Sequence, residues 1–110
     1  MNIEVDISSV LDDLEGLVDN ADTIVSNEIN KTAYKIERDA KQLCPVDTGR
    51  LKGSITTNTG HLEAEVGTNV EYAKFVEFGT IYQSAQPYMI PSFESNIEGI
   101  EDRIAGDLID

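Results

Sequence analysis

The sequence has little of what enzymes and metal sites are commonly built from. Its 110 residues include no Trp, one Cys and one His. Cys44 cannot form an internal disulfide, and one Cys with one His cannot complete a tetrahedral zinc site without carboxylates. His61 falls in a predicted hairpin turn, and Cys44 precedes a proline, so a solvated turn residue and a small buried side chain are the favoured interpretations. We therefore expect no catalytic, cofactor-binding or metal-binding residues, and no enzyme.

Cationic side chains and long apolar stretches are also scarce. Eight Lys and Arg stand against 21 Asp and Glu, which gives a formal net charge of -13. A charge of this sign opposes binding to nucleic acids and to anionic membranes. No apolar stretch approaches the roughly 20 residues that span a bilayer, and the N-terminus lacks the features of a signal peptide. We expect a protein that is made in the cytosol and binds neither membranes nor specific nucleic-acid sites.

The charge is distributed unevenly along the chain. Residues 1–30 carry 8 acidic and no basic side chains, residues 31–52 carry 6 basic and 3 acidic, and residues 53–110 carry 2 basic and 10 acidic. Lys31, Lys35 and Arg38 have the spacing of one helical face, and we call them the basic stripe. The basic stripe is either an ordinary solvent-facing surface or a subunit contact for the acidic N-terminal half of a neighbouring copy.

Apolar residues recur with a helical period from Leu11 to Leu43. They predict a helix that starts near residue 9 and ends before Pro45. Such a helix would be about 52 Å long, whereas a compact domain of this size has a radius of gyration of about 13 Å. Either the helix breaks near residues 16–23, or the acidic N-terminal part, residues 1–30, projects from the rest.

The remaining sequence predicts short elements. Residues 54–59 and 62–68 predict a β-hairpin, residues 72–78 a short helix closed by Gly79, and residues 80–90 a loop and a short strand. Apolar spacing after Pro91 predicts a C-terminal helix over residues 93–108. The expected fold is α+β and a single domain over residues 1–110, with a long N-terminal helix, a small mainly antiparallel sheet of three to four strands, a short helix and a C-terminal helix.

Six of the seven aromatic residues lie between Tyr72 and Phe93. Core packing is the favoured interpretation for Tyr72, Phe75 and Phe93. Tyr82 and Tyr88 flank a polar loop, and amphipathic aromatic side chains are enriched at protein interfaces. Together with the basic stripe, these two tyrosines are therefore the candidate subunit-interface residues.

Three motifs connect the chain to a known family. CPVDTGRLKGSI (44–55), VEYAKFVEFGT (70–80) and QPYMIPSFE (86–94) resemble the head–tail joining, or tail-completion, proteins in the neck of long-tailed siphophages. The resemblance implies a structural rather than a catalytic role for the matching positions. These are Pro45, Asp47, Thr48, Gly49, Leu51, Tyr72, Ala73, Val76, Glu77, Gly79, Thr80, Pro87 and Pro91.

The resemblance also implies a function. The chain would be a non-enzymatic virion protein that forms a ring, hexameric by analogy, at the phage neck, completes the tail and joins it to the DNA-filled head. Its partners would be its own copies and the neighbouring connector, stopper, tail terminator or tail tube proteins. DNA would pass through the ring without being specifically bound.

Two further interpretations stay open from the residues themselves. Glu77 is an acid among apolar neighbours, so it needs a partner, either Arg50 or a basic residue of another copy. The alternative function is an acidic DNA mimic that occupies the nucleic-acid site of an enzyme.

Overall fold

The computed structural model describes residues 1–6, 21–45 and 49–109. These residues form an α+β fold, which confirms the predicted class. In chain order the elements are β1 (Asn2–Asp6), α1 (Ala21–Leu43), α2 (Arg50–Ser54), β2 (Thr56–Gly60), β3 (Glu63–Gly67), α3 (Ala73–Phe78), α4 (Met89–Ile97) and α5 (Ile100–Ile109).

The three strands make one antiparallel sheet in the order β1-β3-β2. The predicted hairpin is confirmed, with Thr56 opposite Gly67 and Gly60 opposite Glu63. The first strand was not predicted, and it shows that the acidic N-terminal part, residues 1–30, begins as a strand and not as a helix. The predicted helix start near residue 9 lies outside the described residues. Val5 of β1 is buried while Glu4 is exposed, which is the two-residue alternation of a half-buried strand. The strand has only five residues, so this alternation is too short to predict a strand from the sequence.

Helix α1 covers one face of the sheet. Its fully buried apolar residues follow one another at steps of four, four, three and four, and two of them are alanines that allow close approach. They are Val25, Ile29, Ala33, Ile36 and Ala40. On its other sides α1 packs against α4 and α5. The predicted helix is thus confirmed over Ala21–Leu43, and the predicted portion from residue 9 to residue 20 lies outside the described residues.

The C-terminal region departs from the prediction in two ways. The short strand expected before residue 90 is absent from the described chain, because Met89 and Ile90 already belong to α4. The single helix expected over residues 93–108 is instead two helices, since Gly99 has a φ of 78° that no helix continues through. Pro91 is the third residue of α4, in the first turn, where a missing N–H removes no intrahelical hydrogen bond.

Candidate assembly site

Glu77, at the end of α3, organises the loop that follows it. Its side chain is 2% exposed, and its carboxylate accepts hydrogen bonds from the backbone N–H groups of Tyr88 (3.1 Å), Met89 (2.8 Å) and Ile90 (3.2 Å). These N–H groups lie at the start of α4, where the helix itself supplies no acceptors and the dipole favours an anion. Glu77 is therefore a cap supplied from 11 residues earlier in the chain.

Arg50, the partner within the fold that we predicted for Glu77, is wrong. The guanidinium of Arg50 binds Glu71, with distances of 3.2 Å and 3.0 Å between its nitrogens and the two carboxylate oxygens. It also lies 5.5 Å from the ring centroid of Tyr72. Backbone amides, rather than a basic side chain, thus compensate the buried carboxylate.

Tyr88 lies in the core and not at a surface. Its side chain has no exposed area, and its hydroxyl donates a hydrogen bond to the backbone oxygen of Ala73 at 3.3 Å. Burial, with the nearby charge of Glu77 as a second cause, raises the pKa of Tyr88 to about 12. The predicted interface role of Tyr88 is therefore wrong. The hydrogen bond from its backbone N–H to Glu77 and the one from its hydroxyl to Ala73 hold this residue in the core against α3.

The loop from Thr80 to Gln83 is held in a tight turn. Backbone hydrogen bonds link Thr80 and Gln83 in both directions, at 2.8 Å and 3.3 Å. Gly79, which precedes the turn, has a φ of 78°, and a Cβ there would lie 2.7 Å from the backbone nitrogen of Ala85. The turn presents Ile81 and Tyr82, which are 89% and 92% exposed, and we call these two residues the tip.

Two aromatic side chains of α3 are also exposed beside this loop. Phe75 and Phe78, one helical turn apart, are 48% and 64% exposed, so the predicted core position of Phe75 is wrong. We call Phe75, Phe78 and the tip together the apolar surface. The chain has no Asp, Glu, Lys or Arg from residue 78 to residue 93. Phe75 lies outside this uncharged run, and Nζ of Lys74 is 5.3 Å from the centroid of its ring. Aromatic enrichment with little charge, as at Phe78 and the tip, is typical of the centre of a protein interface.

The basic stripe lies on the side of α1 away from its buried row. Lys31 and Arg38 are exposed, and Tyr34, which lies between them, is 53% exposed. Arg38 is 3.1 Å from Asp39, whose pKa is lowered chiefly by a hydrogen bond from Asn96 and further by Arg38. The structure therefore keeps the basic stripe at the surface, as predicted, with one of its charges partly compensated.

A second buried carboxylate was missed in the sequence. Glu28 of α1 is 4% exposed, and Nε of Arg103 donates to it at 2.8 Å. The same guanidinium donates to the backbone oxygens of Asn96 and Glu98, so Arg103 ties the α4–α5 junction to α1. Burial acts to raise the pKa of Glu28, but the hydrogen bond from Arg103, the interaction with Asp107 and the nearby cations Lys31 and Arg103 outweigh it and hold that pKa below its usual value.

The positions of the family motifs are spread over the described chain. Asp47 and Thr48 lie outside the described residues. Gly49 has a φ of 75° before α2, and Gly79 has its positive φ after α3. Leu51 and Ala73 are buried, whereas Tyr72 and Val76 pack against the core from the side. Pro45, Thr80, Pro87 and Pro91 lie in or beside turns and helix starts. Their structural role remains a prediction.

The described residues bring together no catalytic constellation. His61 is exposed and lies 3.7 Å from Asp22, while Cys44 is 2% exposed and its burial raises the pKa of the thiol. Within residues 1–6, 21–45 and 49–109, no cluster of three or more His, Cys, Asp or Glu could hold a metal ion. None of the helices in this part of the chain combines the length and apolarity needed to cross a membrane.

The chain is a small α+β protein whose loop after α3 exposes two large apolar side chains. Residues 8–79 match the HK97-gp10-like family, which is described as "Bacteriophage HK97-gp10, putative tail-component". Because the match covers more than half of the chain, the protein belongs to this family of phage tail components. It is accordingly a structural component of a virion that contacts other tail proteins. The family match ends at Gly79, so the tip, Ile81 and Tyr82, begins two residues beyond the matched part of the chain.

Comparison with curated proteins and comparison with solved structures gave no match.

Proposed function

We propose that identical copies of this chain form a ring at the phage neck, where the ring completes the tail and joins it to the DNA-filled head. The whole of residues 1–110 would act as one joining unit. The apolar surface is the observation that carries this proposal. Phe75 and Phe78 are exposed on α3, and the tip is exposed on the turn that follows Gly79. An apolar contact on such ordered elements loses little conformational entropy on binding.

The charge pattern supports contacts between unlike faces of neighbouring copies. Lys31, Lys35 and Arg38 would meet acidic residues of the next subunit, and such a head-to-tail contact generates a ring when its rotation closes. The remaining carboxylates would give the channel an acidic wall. Because this wall repels phosphate, DNA could pass through without adhering.

The position in the virion can be tested by localisation. Particles of the phage that carries this chain, with an affinity tag on the protein, would be labelled with gold and imaged by electron microscopy. We expect label at the junction of head and tail. Label confined to the distal tail, or particles without the protein, would contradict the proposed neck function.

Ring formation can be tested by charge reversal in the basic stripe. The variant Lys31→Glu/Lys35→Glu should lower the oligomer mass in sedimentation velocity, whereas Lys52→Glu, a charge reversal on α2 and outside both the basic stripe and the apolar surface, should not. An unchanged oligomer for the first variant at low and moderate salt would exclude the basic stripe as the contact. A monomeric wild-type chain that instead binds a DNA-processing enzyme would favour the DNA-mimic alternative.

A further inference from the structure

The two edges of the sheet differ in how they are protected against pairing. Strand β2 has a strand neighbour only on the β3 side among the described residues. Its sequence, TTNTG, has no charge and no proline, and four of its five residues are exposed. The chain carries no Asp, Glu, Lys or Arg from residue 53 to residue 62. Protein edge strands are normally blocked by charge, proline or a bulge, so within residues 1–6, 21–45 and 49–109 the β2 strand is an open edge.

Strand β1, at the opposite edge, carries the charge that β2 lacks. Its five residues, NIEVD, include two acids, and the exposed Glu4 lies directly opposite Glu65 of β3. Like charges on facing strands are unfavourable, so a β1 strand pairs poorly with another β1 strand. A neutral strand such as β2 imposes no such penalty.

We propose that the open edge of β2 pairs with β1 of a second copy of this chain, so that the sheet continues from one subunit to the next. This inference rests on the proposed ring and names the contact that builds it. Both strands are five residues long, and each copy would supply one acceptor edge and one donor edge. A closed ring built in this way leaves no sheet edge exposed.

The direction of the new strand pair follows from the sheet topology. Both β1 and β2 run antiparallel to β3, so they run parallel to each other within one copy. Neighbours that keep their helices on the same side of the continuous sheet must therefore pair β2 with the incoming β1 in parallel. Two copies joined through β2 alone would instead pair antiparallel about a two-fold axis, which would give a dimer.

The charge distribution favours the mixed pair. Strand β2 carries no charge and β1 carries two acids, so an incoming β1 meets no like charge on β2 itself. A β1–β1 pair would instead bring four acids together, which selects β2 as the edge that receives β1 of a second copy.

Disulfide cross-linking can test this pairing directly. Glu4 and Asn58 both face Glu65 in the strand register, so within one chain they are separated by two strand spacings, roughly 9–10 Å. Cysteines whose Cα atoms are more than about 7 Å apart do not form an undistorted disulfide. In a Cys44→Ala background, the double variant Glu4→Cys/Asn58→Cys should therefore give an oxidation-dependent ladder of linked chains.

The matched single variants decide between the possible contacts. Glu4→Cys alone and Asn58→Cys alone should stay monomeric on a non-reducing gel, and an equal mixture of the two should give only dimers. A strong dimer from Asn58→Cys alone would overturn the mixed pair in favour of β2 pairing with β2. Absence of any ladder at the highest soluble concentration would overturn the proposal as a whole.

A charge variant separates this contact from the neck function. Thr56→Glu/Thr59→Glu places acids beside the acidic β1 of the neighbour but opposite Gly67 and Ala64 within its own chain. This variant should fold as the wild type does and lose the larger oligomer, whereas Asn69→Glu, also exposed but away from the strand edge, should keep it. If the tagged protein is at the neck but Thr56→Glu/Thr59→Glu still forms rings, the edge pairing is wrong and the neck function stands. If the ladder forms but the protein is absent from the neck, the neck function is wrong and the pairing stands.

Discussion

The loop between α3 and α4 has a buried end and an exposed end only a few residues apart. Tyr88 and Met89 have no exposed area, and their N–H groups are bound by a carboxylate that is itself 2% exposed. Ile81 and Tyr82 of the same loop are about nine-tenths exposed. At the buried end the polar groups are paired, and at the exposed end large apolar groups contact little of their own chain. The comparison separates residues that stabilise the fold from residues available for contact.

Removing the carboxylate at the buried end should have the largest effect. Glu77→Ala leaves three N–H groups at the start of α4 without their acceptor, and each buried unpaired group costs about 1–3 kcal/mol. We expect a loss of about 3–5 kcal/mol in the free energy of unfolding, measured by urea denaturation. Glu77→Gln keeps one acceptor oxygen and should lose less. A loss below about 1 kcal/mol for Glu77→Ala would show that water reaches the three N–H groups and replaces the carboxylate as their acceptor.

The second buried carboxylate gives a smaller effect because its partner is partly exposed. Arg103→Met leaves Glu28 buried without its main cation, and the side chain of Arg103 is 34% exposed. Breaking a fully buried pair costs about 3–5 kcal/mol, so we expect about 2 kcal/mol here after discounting for solvent screening. Urea denaturation of Arg103→Met beside Arg38→Met, an exposed control, would measure it.

The same variant should change how stability depends on pH. The pKa of Glu28 is lowered in the folded protein, so its contribution is present above the unfolded pKa and is lost as the pH falls through the folded pKa. Without Arg103, burial acts to raise that pKa, so acidification should destabilise the variant less than the wild type. An equal loss in both proteins between pH 7 and pH 4 would show that Arg103 does not control Glu28.

The fold was predictable wherever local pattern decides it. The period of the apolar residues in α1, the alternation in the β2–β3 hairpin and the glycine after α3 each act within a few residues. The start of α4 was not predictable in this way, because its cap comes from Glu77 rather than from the adjacent residues. The break at Gly99 was not predictable either, because the apolar residues keep a helical spacing across the junction of α4 and α5.

The candidate site was predictable in part for the same reason. The basic stripe is exposed except for the half-buried Lys35, and Tyr82 is exposed, since helical spacing and a polar loop are local features. Tyr88 has a similar polar neighbourhood in the sequence, yet the bond from its N–H to Glu77 places it in the core. For Glu28, the polar Thr32 four residues later on the same buried face was the available signal, and its partner Arg103 is 75 residues away.

Changes at the exposed end should have the smallest effect on stability. Ile81→Ser/Tyr82→Ser removes side chains that bury almost no area within the chain, so the free energy of unfolding should change by no more than about 0.5 kcal/mol. Assembly should nevertheless weaken, because an exposed aromatic anchor on a fixed turn contributes strongly when it is buried by a partner. Urea denaturation and sedimentation velocity on the same samples would measure both quantities.

Gln83→Ala/Ser84→Ala is the matched control in the same loop and should alter neither the free energy of unfolding nor the assembly. A tip variant that unfolds more easily would mean that the exposed end also supports the fold, and one that assembles normally would mean that contact depends on Phe75, Phe78 or another surface.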